Sequence, residues 1–149
     1  MADCGFVRIR AAHRDDVPAL VPLFEAWDHA LPAAVVADRL AEWQATPRAE
    51  ILVAELDGSL AGVAAVCASP HLARPGRFAR IVGLAVAERW RRRGVAGALV
   101  RAAEALAEEW QCDRVEVTSS RWREEAPLFY EALGYRDRSE RQARYIREL

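Results

Sequence analysis

Lysine and asparagine are absent from this chain, and all 21 basic residues are arginine. We read that as genomic base-composition bias and not as a functional signal. The 22 acidic residues leave a formal net charge of −1. A nucleic-acid binder carries a clear basic excess, so that class is disfavoured. Three cysteines, Cys4, Cys67 and Cys112, are too few and too scattered for a disulfide framework or a CxxC metal site. His13 and His29 have no Cys or His at ligand spacing, so no metal is expected. No apolar run reaches the ~20 residues of a membrane span. No secretory or transit pattern precedes the first strand, so a cytoplasmic protein is expected. Neither G-x-x-x-x-G-K-[ST] nor G-x-G-x-x-G occurs, which leaves Walker-type and dinucleotide sites unsupported.

What is present has an ordinary globular profile. The chain is 149 residues long, 52% hydrophobic and 29% charged, enough for a single domain over 1–149 with a sizeable core. Val7 to Ala11 alternates as a strand. Arg14-Asp15-Asp16 offers N-cap chemistry ahead of a helix through Phe24 and Trp27. Val35, Val36, Leu40 and Trp43 share one face of a second helix. Ile51 to Leu56, Asp57-Gly58 and Leu60 to Cys67 read as a hairpin, because Asp-Gly supplies the positive φ angles of a type I′ turn.

Phe78 to Val86 is nearly all apolar from Ile81 onward, as in a strand covered on both faces. It runs through Ala87 to Trp90 into Arg91-Arg-Arg-Gly-Val-Ala-Gly97, then an apolar-striped helix ending near Trp110, with Val95, Leu99, Ala102 and Leu106 on its stripe. The first turn of any helix leaves its N–H donors unpaired, and its dipole adds partial positive charge there. Gly94 and Gly97 are expected to let a ligand and a neighbouring strand approach the backbone. Arg91, Arg92 and Arg93 surround those donors with charge. Together these make a phosphate-binding device. Arg114 to Thr118 reads as a strand, Glu124 to Leu133 as a helix ended by Gly134, and Tyr135-Arg136 and Ala143 to Arg147 as two final strands.

Arg91-x-x-Gly94-x-Ala96, directly after Leu84-Ala85-Val86, resembles the Arg/Gln-x-x-Gly-x-Gly/Ala signature of the GNAT superfamily of N-acetyltransferases. Ala126-Pro-Leu-Phe-Tyr130-Glu-Ala-Leu-Gly134-Tyr135 is similar to the family's A-x-x-x-Y-x-x-x-G-[FY] segment. The element order β-α-α-β-β-β-α-β-α-β-β matches as well. The resemblance implies an α/β (α+β) GNAT fold: a mixed, mostly antiparallel sheet of six to seven strands with about four helices. It implies acetyl-CoA as cosubstrate. Its pantetheine would bond the backbone at Leu84 and Val86, with the thioester near Gly83, Leu84 and Ala85. A backbone N–H there would steady the developing oxyanion. Its pyrophosphate would be held by Arg91, Arg92, Gly94, Ala96 and Gly97, with Arg93 and Val95 in the same loop.

The resemblance also places Tyr130 as the general acid that protonates the departing CoA thiolate. A thiol near pKa ~8.5 and a phenol near ~10 differ by about 1.5 units, which a modest lowering of the tyrosine would close. Deprotonating an acceptor amine of pKa ~10.4 at pH 7 costs about 4–5 kcal/mol. Many family members place a Glu on the fourth strand for this task, where this chain has Arg80 and Val82. Glu116, His71, or a water held by Ser119 or Ser120 are the substitutes. Asp28, His29, Asp38 and Glu42 fall where the family's acceptor pocket is often lined and would suit a cationic amine, although a solvated helix surface is the simpler reading of most of them.

The implied activity is acetyl transfer to a primary amine on a small molecule, by direct attack in a ternary complex, with family analogy adding a homodimer. A protein or peptide acetyltransferase and a non-catalytic acetyl-CoA-binding module are the rivals. No nucleic acid or membrane partner is expected.

Overall fold

The computed structural model describes residues 5–119 and 124–149. The chain packs as two compact units, residues 1–117 and 118–149, taken here in turn.

The first unit is a five-stranded sheet in the order β1-β2-β3-β4-β5. The strands are β1 (Arg8–Ala11), β2 (Ala49–Leu56), β3 (Ser59–Pro70), β4 (Arg77–Val86) and β5 (Cys112–Val117). The first four pair antiparallel, and β5 joins β4 in parallel. The hairpin turn has φ 51° at Asp57 and 75° at Gly58, the left-handed pair that type I′ geometry requires. Its ends are the partners Leu56 and Ser59.

Helices α1 (Val17–Ala26) and α2 (Ala33–Ala45) cover one face. Their Leu20, Leu23, Val36 and Leu40 bury against Ile51, Val53 and Val63. Side chains alternate across a sheet, so the neighbouring residues Leu52, Ala54, Ala64 and Val66 face the other way. There α3 (Val95–Glu109) lies, with Val95, Leu99, Val100, Ala103 and Ala107 buried. That stripe is turned slightly from the one expected: Ala102 and Leu106 are only half-buried, and the small Ala103 and Ala107 meet the sheet. Gly62 of β3 permits the close packing. A Cβ there would sit 3.0 Å from Val95 Cγ1, Leu99 Cδ1 and the Ala85 carbonyl.

The second unit holds α4 (Glu125–Ala132) and a short 3-10 turn, Ser139–Arg141. Gly134, at φ 92°, ends α4 in the left-handed conformation. Its N–H reaches the Glu131 carbonyl at 3.0 Å, and Tyr135 N–H reaches the Tyr130 carbonyl at 3.0 Å, a Schellman closure. The two final strands expected at Tyr135-Arg136 and 143–147 are not present among the described residues, so the sheet has five strands and not six or seven. The Tyr135 N–H is spent on the helix end. Tyr145 is 91% and Ile146 66% exposed, so the second apolar alternation buries nothing that would hold it as a strand. Among the described residues no helix is long and apolar enough to cross a membrane.

Candidate functional site

The site is built on β4. Its first half is paired on both edges; the pairing with β5 runs from Arg77↔Cys112 to Ile81↔Val117 and goes no further. Among the described residues its second half is paired with β3 alone, through Ala65↔Gly83, Ala64↔Leu84, Val63↔Ala85 and Gly62↔Val86. Alternate residues of a strand point their N–H and C=O groups to opposite edges. Part of the backbone between Val82 and Val86 therefore points to an edge with no strand partner among the described residues.

Between Val66↔Ile81 and Ala65↔Gly83 the register slips by one, leaving Val82 as a bulge. Val82 is 45% exposed, and Gly83, Leu84, Ala85 and Val86 are half-buried. This corrects the expectation of a strand covered on both faces: from Ile81 onward only Ile81 is fully buried, Val82 is turned out by the bulge, and the rest are half-buried.

β4 leads through a 3-10 turn, Glu88–Trp90, into the arginine loop. Buried Trp90 anchors it, with the guanidinium carbons of Arg89 and Arg93 at 4.7 and 5.0 Å from its ring centroid. Arg93 also lies 3.7 Å from Asp57, so its side chain is turned toward the β2–β3 hairpin; all three arginines are exposed. Arg92 and Gly94 take φ 61° and 78°, two left-handed steps that swing the chain into α3.

The bond that opens α3 is Ala98 N–H to the Gly94 carbonyl, 3.0 Å. The N–H groups of Val95, Ala96 and Gly97 lie ahead of it at the positive end of the helix dipole. A Cβ on Gly94 or Gly97 would meet nothing within 4 Å. At Gly97 this removes the expected strand contact and leaves open backbone.

The candidate bases are engaged. Arg80 donates from Nη2 to Glu116 Oε2 at 3.0 Å, and Arg114 Nη2 lies 2.9 Å from Glu116 Oε1. His71 Nε2 lies 3.0 Å from both carboxylate oxygens of Asp113, and Arg74 Nη2 is 2.9 Å from Oδ2. The His71 hydrogen bond lowers the Asp113 carboxyl from its ordinary value, against an opposing desolvation. Asp28, His29, Asp38 and Glu42 are exposed, and Glu42 pairs with Arg39. In the second unit, half-buried Tyr130 on α4 makes edge contacts with Phe129 (centroids 5.0 Å) and Tyr135 (5.7 Å). Ser119 is exposed, and Ser120 lies outside the described residues.

Residues 9–135 match the model of the acetyltransferase (GNAT) family. The chain belongs to that family. No curated protein matches it in sequence. Among solved structures, it is similar to a transcriptional regulator from Bacillus halodurans C-125, with TM-score 0.84 and 24% identity over 95% of this chain and 100% of that one. It is similar to a ribosomal-protein-alanine N-acetyltransferase from Brucella melitensis biovar Abortus 2308, with TM-score 0.77 and 21% identity over 97% of this chain and 99% of that one. It is also similar to glucosamine-6-phosphate N-acetyltransferase from Arabidopsis thaliana, with TM-score 0.81 and 19% identity over 95% and 99%. At these identities the likeness is one of fold.

Two features of this GNAT acetyltransferase escaped the sequence reading. One is the bulge at Val82, which leaves no mark in composition or periodicity. The other is Trp27, at the end of α1. Its ring lies over Gly83, where a Cβ would sit 2.7 Å from Cη2, and the His29 ring stands edge-on to it at 4.6 Å. A glycine inside a strand was the available signal, since it marks a close approach.

Proposed function

We propose that this acetyltransferase moves the acetyl group of acetyl-CoA to a primary amine on a small molecule, by direct attack in a ternary complex. The observation that carries the reading is the continuity of β4: an edge that loses its neighbour after Ile81 leads straight into the first-turn N–H groups of α3. The residues fit the cosubstrate. The N–H groups of Val95, Ala96 and Gly97 and the guanidinia of Arg91 and Arg92 suit a pyrophosphate, and Gly94 leaves its approach clear. Arg93 contributes its backbone, its side chain being spent on Trp90 and Asp57. The open edge at Leu84 and Val86, with Ala85 between them, suits the paired amides of pantetheine.

In this reading acetyl-CoA supplies an activated acyl carbon. A backbone N–H at Leu84 donates to the thioester carbonyl as charge develops on it. Tyr130 hands its phenolic proton to the sulfur as the C–S bond breaks, and the acceptor nitrogen loses its proton to solvent or to a water held by Ser119. A single acetyltransferase domain over 1–149 and a cytoplasmic homodimer belong to the same reading.

The test is acetyl-CoA-dependent thiol release against aminoglycosides, polyamines, amino acids and short peptides. Turnover of a small amine above the no-acceptor background is the expected result. Turnover of peptides alone would move the acceptor to a protein. Acetyl-CoA binding by calorimetry without any turnover would leave a binding module, and no binding would overturn the reading.

A further inference from the structure

The acceptor's charge can be read from the strands where they part. Arg80↔Glu116 is the last but one pair before β4 and β5 separate. There one carboxylate serves two guanidinia: Glu116 takes Arg80 on one oxygen and Arg114 on the other. Both arginines remain about half exposed, at 50% and 52% of their side-chain surface. Their guanidinium carbons lie 5.9 and 5.5 Å from the centroid of the Phe78 ring, so both are against the same aromatic side chain. Asp113, also on β5, is shared between His71 and Arg74, and the His71 ring stands against Phe78 at 5.3 Å.

Among the described residues the arrangement is short of negative charge. Arg80, Arg114 and Glu116 sum to +1, and every oxygen of the two carboxylates already has a nitrogen partner, the two guanidinia on Glu116 and His71 with Arg74 on Asp113. A purely cationic polyamine would meet repulsion. A carboxylate or phosphate would meet half-exposed guanidinium forks, whose planar donors match such groups in pairs. Gly83 lies three residues beyond Arg80, about 10 Å along a strand. A small acceptor can therefore put its amine at the thioester position and its anion on the arginines.

We propose that the acceptor is an amine bearing a carboxylate or a phosphate, and that Arg80 and Arg114 receive this anionic group where β4 and β5 part. This rests on the acetyl-transfer reading above and names the substrate class of that same site.

Matched acceptors test it: lysine against cadaverine for a carboxylate, and O-phosphoethanolamine against ethanolamine for a phosphate, each with acetyl-CoA. The anionic member of at least one pair is expected to show kcat/KM roughly 10- to 100-fold higher, and the pair that responds tells carboxylate from phosphate. Arg80→Gln and, separately, Arg114→Gln are expected to raise KM for that anionic acceptor about 10-fold or more with KM for acetyl-CoA unchanged. Each leaves Glu116 one guanidinium, so no carboxylate is orphaned, and a thermal melt checks the fold. Equal rates within both pairs, preference for cadaverine or ethanolamine, or unchanged acceptor KM in both variants would overturn the assignment while leaving acetyl transfer intact. Acetyl-CoA binding with no turnover of any of the four also overturns it. Absence of acetyl-CoA binding overturns the parent reading instead.

Discussion

The indole of Trp27 rests on the backbone of Gly83, so closely that a single methyl group at 83 would lie 2.7 Å from its Cη2 and 3.2 Å from its Cζ3. This contact joins the end of α1 to β4 beside the Val82 bulge. It ties the elements on both sides of the proposed thioester position.

Gly83→Ala should therefore destabilise the protein by about 1–2 kcal/mol, because the ring must swing away from a packed position. In a Trp27→Ala background the same change should cost close to nothing. Urea unfolding of the four proteins measures the coupling. A penalty that persists without Trp27 would mean the strain lies elsewhere in β4.

The loop makes a separate prediction. Gly94→Ala should cost about 1 kcal/mol, the strain of placing a Cβ at φ 78°, and should leave acetyl-CoA binding within a few-fold. Gly94→Glu carries the same strain and adds a carboxylate among the phosphate donors, so binding should be lost while the fold survives. Calorimetric titration with acetyl-CoA, beside a thermal melt, separates the two effects. Undiminished binding by Gly94→Glu would remove the phosphate role of the loop.

Tyr130→Phe should lower kcat about 100-fold, the usual scale for losing a positioned general acid. Binding of acetyl-CoA should be retained, since the ring keeps its contacts with Phe129 and Tyr135. A normal kcat would reduce Tyr130 to packing.

Stability should fall in acid through Asp16. Its carboxylate takes two 2.7 Å hydrogen bonds from Arg10 and one from the His13 N–H at 2.6 Å, with its side chain 9% exposed. The Arg10 bonds hold its pKa below the ordinary value. A carboxyl depressed in the folded state contributes stability that is complete above its unfolded pKa of ~3.9 and lost as pH falls through the lower folded value. Asp16→Asn should cost about 2–3 kcal/mol at pH 7, moderated because Arg10 keeps Glu55 at 2.9 Å. It should also flatten the fall in stability below about pH 4. Unfolding midpoints from pH 7 to pH 3 check both; equal slopes in the two proteins would count against this pair.

Much of the frame was readable in advance because local rules govern it. Asp57-Gly58 could hardly be anything but a tight hairpin turn, and Gly134 ends α4 where only a left-handed residue closes the Schellman bonds. The arginine loop showed itself through Gly94, whose φ of 78° admits few other residues. The final strands failed for a matching reason. Alternation at 143–147 states a preference, but a strand exists only with a partner.

The sequence alone therefore determined the elements of the first unit, the family and the left-handed turn of the arginine loop, since turn chemistry, periodicity and helix ends act within a few residues. Tertiary structure alone decided where β5 leaves β4, that Val82 bulges, that Trp27 settles on Gly83, and that Arg80 and Arg114 divide Glu116 between them. Each of these joins residues distant in the chain, and the physical reason is the same throughout: register and packing are set by which surfaces meet, which no local pattern encodes.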